Sequence, residues 1–97
     1  MDETTVREHA ERHGAAVVAG DLRTAGADLT PEAQAQAPGV MKNLPKDLRA
    51  ANVFRIALVD DAYEAYISYE GADSETIVIS TWAERDGTPK ITNLSLG

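Results

Sequence analysis

The chain has no cysteine among its 97 residues, which excludes disulfides, thiolate metal sites and a cysteine nucleophile. Its apolar runs are only a few residues long, so none predicts a membrane-spanning helix. The polar, acidic start, Met1–Thr5, lacks the basic and apolar stretches of a secretory signal. These absences predict a soluble, cytoplasmic protein.

Positive charge is also scarce. The formal net charge is −7, and residues 50–97 contain eight acidic residues but only three basic ones, which are Arg55, Arg85 and Lys90. Nucleic acids and anionic membranes are bound by clustered cations that neutralise phosphates. We therefore expect neither as a partner.

What the chain does have is an ordinary apolar content of 43%, enough for one small domain and too much for a disordered one. We interpret residues 1–97 as a single domain, with helices over about residues 4–44 and a sheet over about residues 51–96. This order of helices before strands predicts an α+β fold.

The first half has helix boundaries and one apolar stripe. Thr5 and Glu8 have capping-box spacing, and the stripe that follows consists of Val6, Ala10, His13 and Val17. Gly20 predicts the end of this helix, and Asp21 predicts the N-cap of a short second one.

A third helix is predicted to begin at Thr30, with Pro31 in its first position. Pro38 is expected to interrupt or kink it, because the residue before a proline avoids helical angles. The apolar face then continues to Leu44, just before Pro45.

The second half changes to the two-residue period of strands. Turn residues at Asp60–Asp61, Gly71–Ser74 and Asp86–Gly87 divide it into four segments, and loops this short join antiparallel neighbours. The prediction is a four-stranded antiparallel meander, packed against the three helices.

Several strands carry apolar residues on both faces. We expect Val53 to oppose Phe54 and Ile56, and Tyr66 to oppose Tyr63. Three modest helices can cover only one face of the sheet, so the other would form an interface. A homodimer through the sheet is the economical explanation, and the alternative is isolated apolar residues on a wet surface.

The layout resembles the nuclear transport factor 2-like superfamily, also called the SnoaL-like or cystatin-like α+β group. The residues that carry the likeness are Ala15–Leu22, where a long helix meets a capped second one, then Leu29–Glu32 and the closing hairpin Trp82–Ile91. The resemblance implies a cone in which a curved sheet wraps the long helix and leaves a pocket at its open end. Members include ketosteroid isomerase, polyketide cyclases, dehydratases and binding modules without chemistry.

One departure from the enzymes of this group concerns their general base. They commonly hold an Asp on a strand just after the helices, but the matching stretch Ala37–Pro45 has no acid. No catalytic residue is carried over, and the expectation leans away from an enzyme.

The candidate ligand-pocket residues are His13, Tyr63, Tyr66 and Trp82. Histidine in an apolar stripe can line a pocket or serve as a core hydrogen-bonding group, and strand aromatics can hold a flat apolar ligand or simply pack. His9 and His13 lie one helical turn apart, but without a third ligand we predict no metal site and no cofactor.

Two functions remain open at this point. The first is a non-catalytic binding or association module, dimeric through its sheet, that takes a small apolar molecule or a protein. The second is a small isomerase, cyclase or dehydratase that uses His13 with a tyrosine. The lack of a pocket carboxylate in the sequence favours the first.

Overall fold

A computed structural model describes all residues from 1 to 97 and confirms the α+β class. Three N-terminal helices precede a curved, open antiparallel sheet with the strand order β1-β2-β3-β4. The elements are α1 (Glu3–Ala19), α2 (Leu22–Ala27), α3 (Pro31–Met41), β1 (Ala50–Val59), β2 (Ala62–Glu70), β3 (Glu75–Arg85) and β4 (Thr88–Leu96).

Helix α1 begins earlier than the capping-box spacing predicts. Its N-cap is Asp2, whose Oδ1 accepts a hydrogen bond from the Thr5 backbone N–H at 2.8 Å. Assigning Thr5 as the cap was therefore wrong, because a carboxylate three residues earlier satisfies the same free amide. The predicted end is confirmed, since Gly20 caps the helix in the left-handed conformation at φ 75°.

The starts of the next two helices are confirmed, whereas the predicted interruption of α3 at Pro38 is wrong. Asp21 caps α2 and Thr30 caps α3, each accepting from the amide three residues on. Helix α3 continues through Pro38 and ends at Met41. Pro38 cannot bond the carbonyl of Gln34, but both residues are exposed, so water can satisfy that carbonyl.

The strands pair as the predicted meander, and tight turns close two of its hairpins. Two-residue turns at Asp60–Asp61 and Asp86–Gly87 connect the outer pairs of strands. Asp86 and Gly87 both have positive φ, at 54° and 77°, which is the pattern of a type I′ turn. Its twist matches that of the strands, so the predicted hairpin is confirmed.

A bulge changes the predicted faces of β1. The register shifts between Val53 and Arg55, so Val53 pairs with Ile67 and Ile56 pairs with Ala65. Both partners belong to the buried core. The expectation that Val53 and Ile56 lie on opposite faces was therefore wrong, because Phe54 is the extra residue of the bulge.

The helices cover one face of the sheet, and the core lies between the two layers. Its centre is Trp82, fully buried, whose Nε1 donates to Ser80 Oγ at 2.9 Å. The other members are small or branched, and they are Val6, Ala10, Ala33, Ala65, Ile67, Val78 and Ile91, with Tyr69 at one end. Helix α1 lies so close to β1 that a Cβ on Gly14 would come within 3.0 Å of Ala51 Cβ. None of the three helices has the length and apolarity to cross a membrane.

Candidate functional site

A cavity of about 160 Å³ lies between the three helices and the inner face of the sheet. Ten of its thirteen lining residues are apolar, and the exceptions are Tyr69, His13 and Gly26. The apolar ones are Val17, Leu22, Ala25, Leu29, Ala37, Val40, Met41, Leu44, Val78 and Leu94. Two polar side chains therefore face an otherwise apolar space.

Tyr69 is the first of these polar groups. It lies on β2 in the row that includes Ala65 and Ile67, and only 3% of it is exposed. Its hydroxyl makes no hydrogen bond within the chain and is not fully enclosed by protein. Burial raises the pKa of the hydroxyl, because the phenolate would lose its hydration. The group is a neutral donor and acceptor without a partner.

His13 is the second polar group, and a carboxylate fixes its ring. Its Nδ1 lies 3.1 Å from Asp28 Oδ2, and the edge of its ring packs against Trp82 with centroids 6.2 Å apart. An imidazole paired this way at Nδ1 keeps Nε2 as its second polar atom. Nε2 has no hydrogen-bond partner within the chain.

Strand β4 holds Asp28 in place. The Asp28 carbonyl accepts from Ile91 N–H at 2.7 Å, and Thr30 N–H donates to the Ile91 carbonyl at 2.9 Å. These bonds join the α2–α3 junction to the sheet as an isolated parallel bridge. Lys90 Nζ also donates to the carbonyl of Ala27 at 2.7 Å. The backbone that carries the carboxylate is thus tied to the sheet.

Among the sequence-predicted pocket residues, His13 lines the cavity, whereas Tyr63, Tyr66 and Trp82 do not. Trp82 is fully buried behind His13. Tyr63 pairs with Trp82 across β2 and β3, near the β1–β2 hairpin. Tyr66 lies on the outer face, under the guanidinium of Arg55, whose Cζ is 4.9 Å from the ring centroid. Because successive residues of β2 point to opposite faces of the sheet, Tyr66 lies on the face away from the cavity.

The two histidines of α1 have different surroundings. His9 is half-buried, and its ring centroid is 6.0 Å from that of Trp82. The structure brings together no group of three or more histidine, aspartate or glutamate side chains that could hold a metal ion.

Sequence reasoning missed Tyr69 and Asp28 as site residues. Tyr69 shares the two-residue period of Tyr63, so the pattern placed it on the inner face without showing which end of that face stays open. Asp28 comes fifteen positions after His13, a separation that no motif marks. Its contact depends on the way β4 holds the α2–α3 junction.

Comparisons with protein-family models, with curated proteins and with solved structures find no match for this chain.

Proposed function

We propose that this domain binds a small apolar molecule that carries one hydrogen-bonding oxygen. The observation that supports this most is the unpartnered hydroxyl of Tyr69 in the wall of an apolar cavity. That hydroxyl is not fully enclosed by protein, so a ligand oxygen can reach it and replace water as its hydrogen-bond partner. An apolar cavity with one or two convergent polar groups is the usual form of a small-molecule site.

The volume limits the ligand. A cavity of about 160 Å³ is close to the roughly 150 Å³ apolar cavity that accepts benzene in another protein. The buried part of the ligand is therefore one ring or about six carbon atoms. Phenol fits this description, and toluene has the same shape without the oxygen.

Titration calorimetry and NMR of the methyl groups that line the cavity can test this proposal. We expect phenol to bind roughly tenfold more tightly than toluene, because a satisfied hydrogen bond contributes about 1 kcal/mol. Tyr69→Phe should lower the affinity for phenol to that for toluene and leave the affinity for toluene unchanged. If neither probe shifts the resonances of Val40 and Leu94, the proposal is wrong.

We also propose that the domain is a small member of the nuclear transport factor 2-like group. The order of three helices and a curved meander supports this, as does a cavity between the first helix and the sheet. An experimental structure can test the assignment by superposition on members of the group. A sheet that curves away from α1 would contradict it.

A catalytic role is the second candidate, and the pairing of His13 with Asp28 favours it. An imidazole oriented by a carboxylate can accept a proton through Nε2, and Tyr69 can donate to a ketone oxygen in the same cavity. In this mechanism a proton moves from the α-carbon of the ketone to His13 and leaves an enolate, whose oxygen accepts a hydrogen bond from Tyr69. His13 then releases that proton to solvent, and the enolate takes up a solvent proton at the α-carbon.

Exchange of the α-protons of cyclohexanone in heavy water, followed by proton NMR, can test catalysis. A catalyst should speed the exchange about a hundredfold or more over buffer, and His13→Gln should remove this effect. If cyclohexanone binds but its α-protons exchange no faster than in buffer, the catalytic proposal is wrong and the binding function stands.

We further propose that the domain forms a homodimer through the outer face of the sheet. Phe54 is 53% exposed there and packs on Tyr66 with ring centroids 6.1 Å apart. Ile79 pairs with Tyr66 and continues the apolar surface. Analytical ultracentrifugation should find a dimer that Phe54→Ser weakens, whereas Leu58→Ser, on the inner face and 64% exposed, should not. A wild-type monomer at all concentrations would contradict the proposal.

A further inference from the structure

A second hollow adjoins the cavity and carries the positive charge that the cavity lacks. Its volume is about 500 Å³, and it shares three wall residues with the cavity, namely Val17, Met41 and Leu44. Its other lining residues are Lys42, Pro45, Lys46 and Leu48. We call it the lysine hollow. The shared residues make the two spaces neighbours.

The two lysines are the distinctive part of this hollow. Both are exposed and neither forms an ion pair, since the salt bridges of the chain are Arg7–Glu3, Arg49–Asp47 and the His13–Asp28 pair. Lys42 is the C-cap of α3, and Lys46 lies in the loop between α3 and β1. The sequence separates them by three residues, and the fold places both on one concave surface.

No acidic side chain lines the lysine hollow. The nearest acid along the chain, Asp47, is already engaged, because its Oδ2 accepts from the Ala72 backbone N–H at 2.9 Å and lies 3.8 Å from Arg49 Nε. In a chain with a net charge of −7, the lysine hollow thus places two unpaired positive charges beside an apolar cavity, and their field favours a negatively charged group there. Tyr69 lies on the part of the cavity wall that the lysine hollow does not share.

From this arrangement we propose that the ligand is an aryl- or alkyl-carboxylate, with its apolar body in the cavity and its carboxylate between Lys42 and Lys46. This inference rests on the proposed binding function and adds the charge of the ligand to it. A compound with a phenol ring and a short carboxylate arm combines both requirements. Its ring oxygen would meet Tyr69, and its arm would pass the shared residues Val17, Met41 and Leu44 to reach the lysines.

The test compares 3-(4-hydroxyphenyl)propanoate with its neutral primary amide by titration calorimetry. We expect the carboxylate to bind about tenfold more tightly than the amide at low salt, because two ammonium groups meet one carboxylate. That advantage should shrink as salt is added, since exposed charges are screened, while the affinity for the amide should stay constant.

Charge-removing variants locate the anion site. Lys42→Gln and Lys46→Gln should each lower the affinity for the carboxylate about threefold, and the double variant should bind acid and amide equally. Arg85→Gln is the matched control, because it removes one exposed positive charge at the far end of β3. It should leave both affinities unchanged.

The outcomes separate the two proposals. Equal affinity of the wild-type protein for acid and amide would overturn the carboxylate inference and leave the binding function standing. An acid preference that survives the double variant would also overturn it, because the anion would then be bound elsewhere. If phenol, acid and amide all fail to bind, the proposed function itself fails.

Discussion

His13 Nδ1 and Asp28 Oδ2 lie 3.1 Å apart, and this contact joins the middle of α1 to the junction between α2 and α3. Only 7% of His13 is exposed, so its ring has few other ways to satisfy this nitrogen. The pair thus links the helix that lies on the sheet to the segment that closes the cavity.

Replacement of that carboxylate tests the link. Asp28→Asn should lower the free energy of unfolding by about 1–2 kcal/mol, because a charge-assisted hydrogen bond becomes a neutral one. It should also reduce the population of the Nδ1–H tautomer of His13. Urea unfolding measures the first effect, and nitrogen-15 NMR of the imidazole measures the second. An unchanged tautomer would mean that the carboxylate does not orient the ring.

A second prediction concerns Tyr69 at high pH. The ordinary pKa of the hydroxyl is 10.0, and burial raises it in the folded state. Above that ordinary value the unfolded chain releases the proton while the folded chain keeps it, so stability present at lower pH is lost as the pH rises. The free energy of unfolding should fall by up to about 1.4 kcal/mol per pH unit. Tyr69→Phe should flatten this part of the curve of urea-derived stability against pH. An equally steep curve for the variant would show that another group is responsible.

A third prediction concerns the close approach of α1 to β1. Gly14→Ala would place a Cβ 3.0 Å from Ala51 Cβ, and neither atom can move without its backbone. We expect a loss of about 1 kcal/mol or more. Gly39→Ala on α3, where nothing lies within 4 Å, should instead stabilise the protein by about 0.5–1 kcal/mol. Thermal unfolding of both variants measures whether each substitution lowers or raises stability. If Gly14→Ala changed stability in the same direction and by the same amount as Gly39→Ala, α1 would be able to move away from β1 without cost.

A fourth prediction uses the cavity itself. Ala37→Leu, in the cavity wall on α3, should fill part of the space, raise the free energy of unfolding by about 1 kcal/mol and weaken phenol binding at least tenfold. Ala35→Leu adds the same side chain at an exposed position of α3 and should change neither quantity. If phenol binds the Ala37 variant normally, its site lies elsewhere.

Local chemistry makes most of the fold predictable from the sequence. Asp21 and Thr30 cap the helices that follow them, and the Asp86–Gly87 turn specifies its hairpin. The bulge at Phe54 could not be predicted, since one extra residue in β1 leaves no mark in the composition.

The candidate site was only partly predictable. The helical period placed His13 on the buried side of α1. The cavity itself depends on how α2 and α3 meet the sheet, and that is a matter of distant contacts such as Ile91 with Asp28. Two-residue alternation could identify the inner face of β2, but it could not tell that Tyr69 rather than Tyr63 faces an open space.

The bonds that tie Ile91 to the α2–α3 junction have a consequence for strand exchange between copies of the chain. Strand β4 is a border of the sheet, yet its Ile91 N–H and carbonyl are used by Asp28 and Thr30, and Leu94 N–H is used by Gln36. A strand from a second copy could pair with β4 at these positions only by breaking those bonds. The α2–α3 junction therefore opposes strand addition at this border, and with it growth into an extended fibril on the β4 side.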